Sequence, residues 1–364
     1  MLDVIKKLIA IRSDGDETAC MDFLYNYLST LYKKKVIIKK EYILKGRYNL
    51  IIQNSSDPKL LLAWHLDTVP ISSIDQLLPI TKDGKLYGRW SIDMKWWVGI
   101  IIDMIPTLLE KGIPFMILFY CDEEYNFLWM KSFTKNYIGK ISPMLTIIPE
   151  ATNLKIVTGF RWIAEYNISI KWKAAHAARS YEWISAIDVL CWCKDYLLKK
   201  FSCYDTGVFS TSINIWWISW WSIVEGELMQ KWNVVADYCS ALLDIRFWYA
   251  LSQSTFDSAL QTYCDEKWVI VESIQCNFRL PNLSQDIRNL YSQFAPIDTG
   301  ATFGYSDIQM IQEYIWWDCI LCWPSPSNKS HKEDEYVQID SLYKAKDIIE
   351  SIIYTKFTMT QNPL

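Results

Sequence analysis

Histidine is nearly missing from this 364-residue chain, which holds three copies, His65, His176 and His331. Glycine is scarce too, with 12 copies against 19 tryptophans. Neither sign of charge dominates: 37 Lys and Arg stand against 41 Asp and Glu, a net charge of -4. That balance offers no basic footprint and excludes nucleic acid as a partner. The longest apolar stretch, Trp96 to Leu109, is interrupted by Asp103 and Pro106 and is too short to span a bilayer. The opening MLDVIKKLIAIRSDGDE mixes apolar and charged residues at helical spacing, unlike a signal or transit peptide. A cytoplasmic protein without membrane contact is therefore expected. Ten cysteines are scattered mostly singly. Cys319 and Cys322 lie in the apolar run DCILC and lack the second pair that a structural zinc needs, so they read as buried strand.

The glycine shortage and the tryptophan surplus belong together. Tryptophan recurs where backbone logic wants no side chain: Trp64, Trp90, Trp183 and the doublets Trp96–Trp97, Trp216–Trp217, Trp220–Trp221 and Trp316–Trp317. Counted together, the two residue types fill about 8.5% of the chain, close to the ordinary glycine share of about 7%. This pattern predicts a gene in which UGA means glycine, translated here as tryptophan. The alternative is a truly tryptophan-rich protein, in which every buried indole N–H needs an acceptor.

The chain is long enough for one large domain or two moderate ones. Its first part alternates helices with apolar strands: a helix over Glu17–Leu31, strands at Val36–Tyr42, Asn49–Gln53, Leu60–Ala63 and Phe115–Cys121, and a helix over Val98–Leu109. That order predicts an α/β layer with a largely parallel sheet. From about Phe160 the texture changes to β-α-β-β-α-β, the order of a ferredoxin-like module, with Asn233–Phe247 as one of its strands. After Pro281 the chain returns to helix, buried strand and closing helix. The expected domains are 1–159 and 278–364 around an insertion, 160–277.

Candidate chemistry clusters where open α/β sheets place their sites, just beyond strand ends. His65, Leu66 and Asp67 follow LLLA and Trp64, and in an extended H-x-D the two polar side chains share a face, so Asp67 can orient His65. Asp93 precedes a helix. Glu123 and Glu124 end FMILFYCDEE, where neighbours in extended chain point oppositely and can take two jobs. Glu150 ends MLTIIPE, and His331 lies in a loop after a strand. Two histidines and three carboxylates form a donor set for zinc, with cobalt or manganese as substitutes. Shared between two ions bridged by Asp93, they leave a position open for water and a net positive charge that favours hydroxide.

In order and spacing, WHLDTVP, YGRWSIDMKWW, CDEE, PEATN, HAAR, NVVAD, DIR and SHKEDEYV resemble one family, from about Asp3 to the last helix. It is the co-catalytic zinc family of acetylornithine deacetylase, succinyl-diaminopimelate desuccinylase, aminoacylase and bacterial glutamate carboxypeptidase. The resemblance implies a zinc-exopeptidase-like three-layer α/β catalytic domain carrying an inserted ferredoxin-like α+β dimerisation (lid) domain. It implies two Zn2+ per chain, His65 and Glu150 on one, Glu124 and His331 on the other, and Asp93 between them. Glu123 becomes the general base acting on metal-bound water, and Asp67 the support behind His65. His176, in the dimerising insertion, reaches the partner subunit's active site as oxyanion donor. Asn233 and Arg246 bind the substrate's carbonyl and carboxylate, with Arg161 and Arg179 behind them. The implied reaction is cleavage of a small N-acyl amino acid such as acetylornithine by a homodimer. A dipeptidase or carboxypeptidase of the same family is the nearest rival. A non-catalytic relative with a spoiled site is the rival of another class, favoured by tryptophan in the ligand loops. Ser180, where relatives often carry proline, is a further departure.

Overall fold

The computed structural model describes the chain except residues 90, 92–93, 125–126, 138, 149–151, 158–161, 183, 203–210, 225–226, 230–232, 248–251, 268–269, 280–290, 299–306, 308–309, 312–317, 323–333 and 362–364. The chain forms two compact units, Met1–Gly159 with Asn282–Thr299 and Ser306–Leu364, and Phe160–Pro281 with Gly300–Tyr305.

In the larger unit, α1 (Leu2–Ile9) buries Val4, Ile5, Leu8 and Ile9, one stripe of its 3.6-residue period. Helix α2 (Thr18–Tyr32) does the same through Cys20, Met21, Leu24 and Leu28. Strands β1 (Ile37–Leu44) and β2 (Arg47–Gln53) form a hairpin, and β3 (Leu60–His65) is buried along its whole length. A short hairpin, β4 (Ile80–Lys82) and β5 (Lys85–Tyr87), turns at Asp83 and Gly84, both at positive φ as a two-residue hairpin turn requires. Then come α3 (Lys95–Glu110), β6 (Phe115–Tyr120), α4 (Leu128–Tyr137), β7 (Leu145–Ile148) and β8 (Ile156–Val157).

The smaller unit opens with β9 (Trp162–Lys171), β10 (Ala175–His176) and α5 (Ala186–Phe201). It continues through β11 (Ser212–Val224), β12 (Glu227–Met229), β13 (Val234–Val235), β14 (Tyr238–Phe247), α6 (Gln253–Lys267) and β15 (Ile270–Arg279). The chain closes with β16 (Ile297–Asp298), β17 (Asp318–Cys322), β18 (Tyr336–Gln338) and α7 (Ile339–Gln361).

The large sheet has the order β1-β2-β6-β3-β7-β17-β8-β16. Its four middle strands, β6, β3, β7 and β17, are parallel. Strands buried on both faces read as unbroken apolar runs, which is why LLLAW, FMILFY and LTII stand out in the sequence. The flanks depart from the parallel expectation: β1/β2, β2/β6 and β17/β8 are antiparallel. Parallel packing carries the carboxyl ends of β3, β6 and β7 to one edge of the sheet.

In the smaller unit the order is β12-β11-β14-β9-β15, with every neighbouring pair antiparallel. Leaving out β12, this is the strand order of a ferredoxin-like module. Its core alternates along β9 through Ala164, Tyr166, Ile168 and Ile170, against Val189, Leu190 and Leu197 of α5 and Phe256 and Leu260 of α6. One expectation needs correcting here. Asn233–Phe247 is not one strand but β13 and β14, because the intervening carbonyls leave the ladder. Ala236 O accepts from Ala186 N at 2.8 Å, and Asp237 O accepts from Trp172 N at 2.6 Å.

The tryptophans fit awkwardly. Trp64 and Trp129 are each 1% exposed, yet neither indole N–H has a hydrogen-bond partner among the described residues. Leaving a buried donor unsatisfied costs about 1–3 kcal/mol. No helix among the described residues is long and apolar enough to cross a membrane.

Candidate metal centre

The site starts from the register of β3 on β6, which sets His65 opposite Tyr120 at the sheet's carboxyl edge. Leu66 N donates to Tyr120 O at 2.8 Å, carrying the pairing one residue further. The buried His65 ring places Nδ1 3.1 Å from Asp67 O and 3.5 Å from Asp67 Oδ1. A carbonyl oxygen only accepts, so Nδ1 carries the proton and Nε2 keeps the lone pair through which a neutral imidazole binds a metal. Asp67 is 0% exposed, and its Oδ2 accepts Glu124 N–H at 2.9 Å. Asp67 thus holds the ring of His65 through its backbone carbonyl and the backbone of Glu124 through its carboxylate. Its Oδ1 has no hydrogen bond among the described residues. A buried, under-satisfied carboxylate oxygen fits a nearby cation. Asp67→Ala is expected to weaken divalent-metal affinity by about 10–100-fold, the usual effect of losing a ligand's support, measured by titration against a chelator.

Glu123 and Glu124 correct another expectation. They do not continue an extended strand: β6 ends at Tyr120, and both glutamates lie in a turn, each half-buried. Asp122 causes the turn. It sits at φ 69°, its carbonyl accepts Phe127 N at 2.7 Å, and its Oδ2 accepts Leu128 N at 2.9 Å at the start of α4. A non-glycine residue in the left-handed region costs about 1–2 kcal/mol, and such conformations concentrate at functional sites. Sequence reasoning passed over Asp122. The available signal was an acidic residue a few positions ahead of a helix, where it can cap free N–H groups.

Behind this turn lies a second buried ionic group. Glu17, 1% exposed, receives Arg47 Nη2 at 2.6 and 2.8 Å and Nε at 3.2 Å. Burial pushes the Glu17 carboxyl above its usual range, Arg47 pulls it back, and the charge of Asp67 adds to the rise. Burial, then the charges of Glu17 and Asp67, push the Cys121 thiol up, so it stays an S–H beside Glu17. Lys95, at the first position of α3, is wholly buried and donates to Leu8 O at 2.9 Å and to Ile11 O. Those carbonyls lie at and just beyond the C-terminal end of α1, where a helix attracts positive charge. Burial lowers the lysine's pKa. The start of α3 is thereby tied to α1, an approach so close that a Cβ on Gly99 would lie 2.5 Å from Ile5 Cγ1.

Asp93, Glu150, His331 and Arg161 lie outside the described residues. Among the described residues, no three His, Cys, Asp or Glu side chains converge as a metal cluster. What is brought together is His65, Asp67 and the Glu123–Glu124 turn.

The smaller unit holds the remaining candidates. Strand β10 pairs with β13, His176 opposite Val234, and Ala177 N donates to Asn233 O at 2.8 Å. The ribbon thus sets His176 and Asn233 side by side, both exposed, with Asn233 at φ 64°. His176 Nδ1 accepts Ala178 N–H at 3.1 Å, so its proton sits on Nε2 as an outward donor. Arg246 lies on β14. It gives Nε and Nη2 to Asp244 at 2.6 and 2.7 Å. Arg179 lies in the short helical turn that follows β10.

Comparison with known proteins places the chain among relatives of similar fold. In overall fold, the chain is similar to a tripeptidase from Staphylococcus aureus, with TM-score 0.75 and 19% identity over 98% of this chain and 97% of that one. It is similar to a metallo-carboxypeptidase from Sulfolobus solfataricus, with TM-score 0.74 and 15% identity over 98% of each chain. In sequence it is similar to acetylornithine deacetylase of Pasteurella multocida, 30% identical over 195 residues, 51% of this chain and 50% of the relative. The Aliivibrio fischeri enzyme of that name is 29% identical over 160 residues, 42% of each. The matched stretch spans about half the length of these curated relatives or less. The model of peptidase family M20/M25/M40 matches residues 61–355, beginning within the strand that presents His65 and including the Glu123–Glu124 turn, and the chain belongs to that family.

Proposed function

We propose that the chain is a metal-dependent amidohydrolase that cleaves a small N-acyl amino acid, acetylornithine first, as a cytoplasmic homodimer. The observation that carries this reading is Asp67, buried and joined to both the His65 ring and the Glu124 backbone. His65, Glu150, Glu124 and His331, with Asp93 shared, would hold two zinc ions, for which cobalt or manganese could substitute. When bound, such ions supply positive charge that acidifies water and polarises a carbonyl.

The chain's own residues do the rest. Glu123, on the strained turn beside Glu124, takes the proton of the attacking water and returns it to the leaving amine. His176 directs its Nε2–H toward the oxyanion in a second copy's site, and Asn233, its neighbour on the ribbon, donates to the same carbonyl. Arg246 binds the substrate carboxylate, which competes with Asp244 for its fork.

The substrate choice follows the names of the curated relatives. A peptidase is the second reading, favoured by full-length fold similarity to a tripeptidase and a carboxypeptidase. Hydrolysis assays with added zinc separate them. Acetate release from N-acetylornithine, faster than amino-acid release from di- and tripeptides, is the expected result. Release from peptides alone selects the second reading. Metal-loaded protein that cleaves neither class would mark a non-catalytic relative.

A further inference from the structure

We infer that Trp64, Trp96, Trp97, Trp129 and Trp216 are glycines in the working protein, whose gene reads UGA as glycine. The inference does not rest on the proposed activity.

Composition supplies the first support, since 19 tryptophans stand beside only 12 glycines. The structure supplies three more. First, two of these side chains are buried at a cost to their indole N–H groups, although the Trp129 ring stacks on the Arg47 guanidinium at 4.4 Å. Trp64 lies inside the parallel sheet and Trp129 in the first turn of α4, each with an N–H that finds no acceptor among the described residues. A protein that had acquired these indoles through selection would have placed a carbonyl or carboxylate against them.

Second, three indoles gather behind the strand that ends at His65. Trp96 and Trp97, in the first turn of α3 and 0% exposed, have ring centroids 4.7 Å apart, and Trp97 meets Trp64 at 5.1 Å. The same helix three residues after Trp96 carries Gly99, where the Ile5 side chain, 2.5 Å from an added Cβ, leaves room for glycine alone.

Third, the register of β11 on β14 slips between Ile215 and Trp217, so Trp216 occupies a bulge. Glycine within a strand often marks such a bulge, where no side chain need pack on the partner strand. Trp216, Trp217 and Trp220 are 58%, 45% and 39% exposed on that strand. A row of exposed indoles on one strand is an aggregation hazard; a glycine bulge is not.

Protein isolated from its own cells decides the matter through the masses of peptides that cover these five positions. Each peptide is expected to carry the residue mass of glycine there. A tryptophan residue mass at any of the five positions overturns the inference.

Discussion

Replacing Glu123 with glutamine lowers kcat by about 10²–10⁴-fold, the range a positioned proton-transfer group supplies. Metal content stays at the wild-type level, because Glu124, not Glu123, is the proposed ligand of the pair. The geometry explains why adjacent glutamates can divide these tasks. Asp122 breaks the strand at φ 69°, and Asp67 pins the Glu124 N–H at 2.9 Å, so the second glutamate is fixed through its backbone. Glutamine keeps the size and leaves one amide oxygen, but it cannot hold the proton between attack and departure. Turnover and metal analysis on the same preparation check both halves. A variant that loses its metal along with its activity would move Glu123 into the ligand set.

The second large effect concerns stability. Arg47→Met leaves Glu17 buried without its partner, and breaking a buried pair costs about 3–5 kcal/mol. Arg47 is 27% exposed on its side chain while Glu17 is 1%, so the carboxylate suffers nearly all of the loss. The pH dependence follows from the raised Glu17 pKa. A carboxyl whose folded pKa lies above its unfolded value binds its proton more tightly when folded. It therefore penalises folding as pH rises from the unfolded value through the folded one. Without Arg47 the folded pKa rises further. The variant's deficit is then expected to be largest at neutral pH and to shrink toward acid, where the protonated carboxyl needs no countercharge. Denaturant unfolding at several pH values measures it. A deficit that grows toward acid contradicts the assignment.

Much of this was legible in the sequence for a physical reason. Parallel strands buried on both faces write themselves as apolar runs, so β3 and β6 and the residues just past their ends could be read directly. The flanking antiparallel strands were less legible as pairings, because periodicity reports burial and not partner or direction. The break between β13 and β14 was invisible, since it depends on the carbonyls of Ala236 and Asp237 finding acceptor roles at α5 and at Trp172. In the site, His65 and Asp67 could be paired from an H-x-D spacing alone. The turn at Asp122 could not, because a left-handed aspartate leaves no periodic trace. Nor could the support from Glu17 and Arg47, which is assembled from residues 30 positions apart.

Metal stoichiometry of protein from its own host, measured beside amide hydrolysis, tests the central claim most directly. Two divalent ions per chain are expected, removed by a chelator together with acetate release and restored with it by zinc. Folded protein that binds no divalent ion at neutral pH, or hydrolysis that survives complete removal of metal, would contradict the account.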